Sequence, residues 1–338
     1  MHLKLLLKRG ALLAAANWPV VVVQFAAQTT FQVLLAVPII GAAVLVAVLL
    51  GGDLSHLLAG SMREIFTSIT DALMSEPFAL GAFIVAFGIA LVGGSLLMFL
   101  VKGGTVDVIL AANDLVGEIE RQPLTLTSVH QAAAFSIPRY IAGCGRLFKP
   151  YVVLGCALMI AYGVTAAGYL AFIVYGYQAA GAGVLFIGWT FLAALGTVAL
   201  FLWITAINLV YLLLQIATAS GAEGLGQASR AVAHFIRAEY RELSGVFLVV
   251  FGMVVAAWLA SALAWSGVGL IAFVPLVGLA VFPLQIAALG LRGLVFEYIG
   301  LTAMGSYVTL YRRYLATQSQ RSSAHGHVEP GTSLRHAH

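Results

Sequence analysis

Residues 78–101 read FALGAFIVAFGIALVGGSLLMFLV and contain no charged side chain. A helix that crosses the hydrocarbon core of a bilayer needs about 20 consecutive, mainly apolar residues. Residues 78–101 are therefore predicted to form a transmembrane helix. Further stretches of comparable length and character bring the predicted number of spans to six: residues 18–50, 151–177, 184–217, 246–265 and one span within 268–311.

The composition of the whole chain indicates the same class of protein. Of its 338 residues, 62% are hydrophobic and 9% are charged, and the mean hydropathy is +1.02. A soluble domain carries about 25% charged residues. The sequence therefore excludes an ordinary water-soluble domain. It predicts an all-α, polytopic membrane bundle of six helices, formed as one domain by residues 1–317.

The sixth span has ambiguous boundaries, because Pro275 and Pro283 interrupt its apolar run. In one interpretation the span ends near residue 291 and an interfacial helix follows. In the other, residues 268–283 form a re-entrant segment and the span covers residues 284–311. We favour the second interpretation, because a pair of arginines after residue 311 makes a natural cytoplasmic stop.

Lysines and arginines mark one side of the membrane. They precede the first span, lie between the second and third spans and between the fourth and fifth, and follow the sixth, whereas the opposite-side connections contain only Arg63. By the positive-inside rule, both termini are predicted to be cytoplasmic, in a multi-pass protein of the cytoplasmic (inner) membrane. This distribution explains the net charge of +4 without a nucleic-acid partner.

The N-terminus shares some features with a signal peptide. Basic residues precede an apolar run, and three alanines at positions 14–16 offer a cleavage site. Lys8 and Arg9 interrupt that run, however, and Pro19 follows it closely. We therefore expect the first segment to be retained.

Three cytoplasmic segments carry spaced basic residues among apolar ones: residues 3–17, 128–148 and 225–243. Each leads into a span and then a second span, which is the pattern of three repeats of an interfacial helix plus a helical hairpin; basic amphipathic helices also flank spans without repetition. Their basic faces are expected to bind anionic lipid headgroups. In the middle segment a capping-box pattern predicts a helix start at Ser128, and Pro138 predicts a break.

Two further segments lie outside the predicted spans. Residues 51–77 have apolar residues at helical spacing and an acidic excess, so they are predicted to form an amphipathic helix on the outer leaflet or across the mouth of the bundle. Residues 318–338 are rich in Ser, His and Gly and are predicted to be a disordered cytoplasmic tail.

Glutamines form a polar face on the first span. Gln24, Gln28 and Gln32 recur at four-residue spacing, which places their amides on one side of a helix. An unpaired amide is costly in hydrocarbon, so this face should meet another helix or water. The favoured interpretation is interhelical hydrogen bonding, and the alternative is a polar pathway or headgroup site.

The fourth span has a comparable face. Asn208, Tyr211 and Gln215 follow at i, i+3 and i+7. They are candidate partners of the first-span glutamines, and this pairing is a hypothesis.

Two charged residues, Arg292 and Glu297, lie inside the last apolar run. Their five-residue separation puts them about 140° apart on a helix, so each is expected to find a different partner. Gln285 shares a face with Arg292 by its seven-residue spacing. The pair lies either at membrane depth, where charges are usually functional, or in the headgroup layer.

Glycine and alanine repeats predict close helix packing. Ala256, Ala260 and Ala264 recur in the fifth span and are expected at a tight helix contact. Gly103 and Gly104 follow Lys102 and suggest a flexible turn more strongly than an anion-binding nest.

No catalytic motif, cofactor-binding motif or metal-ligand spacing occurs in the chain. Cys144 and Cys156 match neither a disulfide framework nor a zinc site. The histidines concentrate in the predicted disordered tail, where an ordered metal site lacks a folded frame. An enzyme, a bound cofactor and a metal are therefore not expected.

The layout resembles a known membrane family. The resemblance is carried by six spans with interfacial helices and by a C-terminal pattern that runs Pro275-Leu276-Val277-Gly278, Pro283-Leu284-Gln285 and Tyr307 to Tyr314. These features look like the membrane domain associated with bacterial glycerophosphodiester phosphodiesterases and its stand-alone relatives. In that family the chemistry belongs to a separate soluble barrel, so the resemblance implies a membrane location and no catalytic residue.

Two functional hypotheses follow from the sequence. The first is a non-catalytic membrane protein that organises lipids or a membrane protein complex, with anionic headgroups and a protein partner or second copy as its expected partners. The second is a transporter or lipid translocator that uses the intramembrane polar residues.

Overall fold

The computed structural model describes residues 3–50, 76–122, 125–181, 184–222, 224–272 and 275–326. Its regular structure is all helical, which confirms the predicted class. The α-helices are α1 (Leu3–Ala16), α2 (Trp18–Leu50), α3 (Pro77–Leu115), α4 (Leu126–Gln131), α5 (Ile137–Ala180), α6 (Val184–Ala219), α7 (Leu225–Ala238), α8 (Tyr240–Ala272) and α9 (Pro275–Gly326), with a 3₁₀ turn at Ile119–Arg121.

Six of these helices are long and apolar enough to cross a membrane, and the chain is a multi-pass membrane protein. The candidate spans are Trp18–Leu45, Pro77–Leu115, Ile137–Ala180, Leu185–Ala219, Tyr240–Ala264 and Pro283–Arg321. The predicted number of spans is therefore confirmed. The predicted outer helix over residues 51–77 falls almost wholly outside the described residues.

The predicted re-entrant segment over residues 268–283 is wrong. Residues up to Ala272 continue α8, and α9 begins at Pro275. Proline is well tolerated at the first position of a helix, where its missing N–H has no helical partner to lose. Pro283 lies inside α9, and such a proline is accommodated in membrane helices because neighbouring groups satisfy the freed backbone.

The predicted disordered tail is also wrong over its first part. Helix α9 continues to Gly326, so residues 318–326 are helical. The Gln318 Nε2 donates to the Tyr314 hydroxyl at 2.9 Å, one turn back in the same helix. The helix thus extends from a buried, well-packed segment into a polar one. The composition of residues 318–338 alone does not reveal this continuation.

The middle interfacial helix differs from its prediction. Helix α4 covers Leu126–Gln131, so the helix start predicted at Ser128 is wrong by two residues. The break predicted at Pro138 is confirmed, because α5 begins at Ile137 with that proline in its first turn. Helix α5 then passes through Pro150 without interruption, and the expected interfacial helix and the third span form one helix.

Buried residues concentrate at the end of the bundle where most basic residues lie, which we call the basic end. The basic-end core contains half of the residues of α1 and one segment from each of four spans: residues 101–113 of α3, 140–155 of α5, 213–217 of α6 and 299–314 of α9. Helix α1 therefore lies inside the bundle, where it packs mainly against α9.

The spans extend from this core as three helical hairpins, α2 with α3, α5 with α6, and α8 with α9. Their apolar halves are largely uncovered by protein: Ile89, Val164 and Leu263 are 70%, 70% and 74% exposed. Lipid tails are as apolar as these side chains, so such surfaces are stable in a bilayer. The protein core and the lipid-facing surface thus occupy different levels of the same helices.

Glycines allow a close helix crossing between α3 and α5. A Cβ at Gly103 would lie 3.2 Å from the Gly143 oxygen, and one at Gly104 would lie 2.8 Å from the Tyr140 oxygen. The flexible turn and the anion nest considered for Gly103 and Gly104 are both wrong, because these residues lie within α3. Their absent side chains permit the contact.

A second close crossing joins α1 to α9. The Gly305 position lies so near α1 that a Cβ there would be 3.1 Å from the Gly10 Cα, and a Cβ at Gly10 would overlap the Thr302 oxygen and Ser306 Oγ. Ser306 Oγ also donates to the Leu6 carbonyl at 3.3 Å. Any side chain at Gly10 would force the two helices apart.

We predict that Gly10→Ala destabilises the protein by about 1–3 kcal/mol, because the added methyl group has no space at the α1–α9 crossing. The free energy of unfolding in mixed detergent, followed by loss of helical circular dichroism, measures this effect. Gly88→Ala is the matched control, since a Cβ at Gly88 meets nothing within 4 Å. Equal stability of the two variants would contradict the described crossing.

Candidate functional site

A buried guanidinium organises the basic-end core. Arg9 is 9% exposed and forms an ion pair with Glu120, with Nη1 and Oε2 2.9 Å apart. Arg9 Nη1 also donates to the Gly117 carbonyl at 2.7 Å, and Nη2 donates to the Asn113 and Val116 carbonyls at 3.1 Å. Nε donates to Asn113 Oδ1 at 3.1 Å. All five N–H donors of the guanidinium therefore have an acceptor.

The same cluster reaches the last span and the neighbouring lysine. The Thr309 hydroxyl lies 3.0 Å from Asn113 Oδ1, which links α9 to α3. Lys8 Nζ donates to the Glu120 carbonyl at 2.8 Å and to the Gln122 carbonyl at 3.2 Å. Adjacent basic residues of α1 thus fix the end of α3 and the segment that follows it.

Asn17, between α1 and α2, holds the segment before α5 in place through hydrogen bonds to its backbone. Its Nδ2 donates to the Leu13 and Ala132 carbonyls at 2.9 and 3.0 Å. Its Oδ1 accepts from the Ala134 and Phe135 amides at 2.9 and 3.0 Å. The side chain is fully buried, and its four bonds hold the irregular residues after α4 against the first helix.

The prediction of an interfacial helix over residues 3–17 is wrong. A surface helix would leave its basic side chains in the headgroup layer, but Arg9 is buried and Lys8 is occupied by backbone carbonyls. Helix α7 also packs inward, because Phe235 contacts the rings of Tyr311 and Tyr314 at 5.2 and 5.4 Å. Basic residues among apolar ones have the same pattern on a surface helix and on a helix that buries a paired charge.

The first-span glutamines lie in three different environments. Gln24 is buried at 3% exposure, and its Oε1 has no hydrogen-bond partner. Gln28 is half-buried and Gln32 is exposed on the apolar surface. The face therefore passes from the edge of the core into the lipid-facing region of α2.

The fourth-span residues have their own partners. Asn208 Oδ1 accepts from the Tyr162 hydroxyl of α5 at 2.6 Å. The Tyr211 hydroxyl and Gln215 Nε2 are buried without a partner, as is Gln24 Oε1, so these atoms do not bond to one another. The hypothesis that pairs the two polar faces is wrong, because α6 packs beside α5 and α7, and α2 packs beside α3 and α9.

Helices α5 and α6 are joined by a ladder of polar contacts within the spans. Besides the Tyr162 bond, Trp203 Nε1 donates to Thr165 Oγ1 at 3.2 Å, and the Tyr169 hydroxyl lies 2.7 Å from Thr197 Oγ1. Such bonds hold membrane helices together where the hydrophobic effect does not. Sequence reasoning missed the α5 tyrosines, which face α6 at seven-residue spacing.

A cleft of about 340 Å³ separates α8 from α9. Gln285 and Arg292 line it together, in agreement with their predicted common face. Ala260 and Ala264 line the opposite wall, so the tight contact predicted for this stripe is wrong at these residues. The Arg292 guanidinium lies 5.7 Å from the centre of the Phe296 ring.

Glu297 has a different charged neighbour. It lies across from Lys102 of α3, and their opposite charges attract each other. Both side chains are half-buried, near the level where the basic-end core begins. The sequence does not single out Lys102, because the two glycines that follow it suggest a turn.

The described residues contain no cluster of possible metal ligands. Within them, no three side chains of His, Cys, Asp or Glu come close enough together to share a metal ion. No protein-family model, curated protein or solved structure matches the chain. The arrangement provides apolar clefts, hydroxyl and amide groups between helices, and the exposed guanidinium of Arg292 beside one of the clefts.

We predict that Arg9→Met destabilises the protein by about 3–5 kcal/mol, because it leaves the Glu120 carboxylate buried without its counter-charge. Adding Glu120→Gln should recover part of that loss, since the neutral amide tolerates burial better. Equilibrium unfolding in mixed detergent measures the coupling between the two positions. Arg241→Met, on an exposed arginine, is the control and should change stability by less than about 0.5 kcal/mol. An Arg9→Met variant as stable as that control would contradict the buried ion pair.

Proposed function

We propose that this chain is a non-catalytic integral membrane protein that organises lipids around a fixed core. The observation that carries the proposal is that each hairpin has two parts along its length. One part is buried around Arg9, and the other exposes apolar faces and clefts to the bilayer. A fixed core with open hairpins presents a constant surface to lipids or to the spans of a partner, including a second copy.

The proposed orientation places the basic end in the cytoplasm, with both termini, in a cytoplasmic membrane. Exposed basic residues such as Arg139, Lys149 and Arg237 lie on helices at that end. The positive-inside rule supports this orientation, and the same residues could contact anionic headgroups of the inner leaflet.

Translocation is the competing function, and the geometry favours it less. Alternating access requires one group of helices to move against another. In this protein α1 bonds to the end of α3 and packs against α9 at the basic end, so movement there would break a saturated guanidinium network. The resemblance to the phosphodiesterase-associated membrane domain stays a prediction and does not distinguish the two functions.

Thiol labelling at positions 24, 28 and 32 separates the two functions. In a background with Cys144→Ala and Cys156→Ala, we predict that single cysteines at these positions do not react with a water-soluble maleimide in intact membranes, because the Gln face leads from the core into lipid. A cysteine at position 32 should still react with a lipophilic maleimide, since Gln32 is exposed on α2.

Arg230→Cys is the positive control, because Arg230 is exposed on α7 outside the spans. Reaction of all three span positions with the water-soluble reagent, at a rate similar to that control, would show an aqueous path. That result would replace the lipid-organising function by translocation.

A further inference from the structure

The cleft between α8 and α9 has one wall of small side chains and one of larger apolar ones. Ala257, Ala260 and Ala264 line it from α8, and Leu284 and Leu291 line it from α9. Its volume of about 340 Å³ lies within the range of about 300–1,000 Å³ that is usual for ligand sites. The small alanine side chains leave open apolar space between the two helices, which we call the channel.

Arg292 supplies the polar group of this cleft. Its side chain is exposed, and its guanidinium lies over the face of the Phe296 ring. No acidic side chain within the described part of the chain forms an ion pair with Arg292. An unpaired guanidinium beside an apolar channel is electrostatically complementary to an anion that carries a hydrocarbon tail.

The position of Arg292 along α9 indicates which kind of anion the cleft would bind. Glu297 and its neighbour Lys102 mark the beginning of the basic-end core, and Arg292 lies five residues away, about 8 Å along the helix axis. Leu284 lies eight residues farther, about 12 Å deeper into the span. Arginine side chains reach toward the interface over such distances, so a membrane surface near the start of the basic-end core would put the guanidinium within reach of the headgroups, with the cleft extending from there toward the hydrocarbon.

We propose that the α8–α9 cleft binds one anionic phospholipid from the leaflet at the basic end. The phosphate accepts hydrogen bonds from the Arg292 guanidinium, and one acyl chain lies along Ala260 and Ala264. Gln285 lies deeper in the same wall, where its amide can bond to an ester carbonyl of the lipid. This inference rests on the proposed lipid-organising function and names the lipid class of one of its sites.

Native mass spectrometry of the full chain tests the site. The protein is reconstituted in nanodiscs that contain equal amounts of phosphatidylglycerol and phosphatidylcholine, and the lipids that remain bound after release are counted. The wild-type protein should retain one phosphatidylglycerol. Arg292→Gln should lower its occupancy about tenfold, as expected for the loss of one charge-assisted hydrogen bond.

Two further variants complete the design. Ala260→Leu narrows the channel and should remove the bound lipid while circular dichroism and the unfolding midpoint stay at wild-type values. Arg241→Gln removes an exposed arginine from the same helical hairpin without touching the cleft, and should retain the lipid.

The proposal is overturned by equal retention of the two phospholipids, by undiminished phosphatidylglycerol on Arg292→Gln, or by an equal loss on Arg241→Gln, which would indicate diffuse charge attraction. Failure of this lipid site can be distinguished from failure of the proposed lipid-organising function. A water-accessible glutamine face with intact phosphatidylglycerol retention would refute the organising function and leave this site standing. A dry face without selective retention would refute the site alone.

Discussion

The buried guanidinium of Arg9 is the constraint on which the rest of the structure depends. A charged group inside a protein is tolerated only when its counter-charge and all its donors are satisfied. Arg9 meets this requirement by drawing the end of α3, the following turn and Glu120 around α1. Helix α1 is thereby held inside the bundle, and the glycine crossing with α9 brings the last span to the same point.

The location of this core explains the openness of the remaining bundle. Because polar bonds and close packing hold the helices at the basic end, the apolar halves need few protein contacts to stay in place. In lipid they gain little from contacting each other, and the clefts between hairpins can persist. Interhelical bonds such as that from Tyr162 to Asn208 then hold a single hairpin together without closing the bundle. The proposed lipid binding would use such a surface directly.

The class of fold was predictable from composition, because six long apolar runs, five of them without a charged residue, leave few alternatives to a helical membrane bundle. Helix boundaries were less predictable: Pro150 and Pro283 lie inside helices that tertiary contacts and neighbouring spans support. The candidate site was predicted in part, since Gln285 and Arg292 share the cleft as their spacing required. The role of Arg9 could not be predicted, because its partners lie more than 100 residues away and a basic residue in an apolar segment is equally typical of a membrane surface.

In this structure the helices are buried in protein at the basic end, and their remaining apolar parts face lipid. Oxygen accessibility of nitroxide labels along α3, measured by electron paramagnetic resonance in vesicles, tests this arrangement most directly. The account predicts high accessibility at Val85, Ile89 and Val92, which are exposed, and low accessibility at Val106 and Ile109, which are fully buried. Low accessibility at all five positions would show that the hairpins are covered by protein, and would contradict the open arrangement.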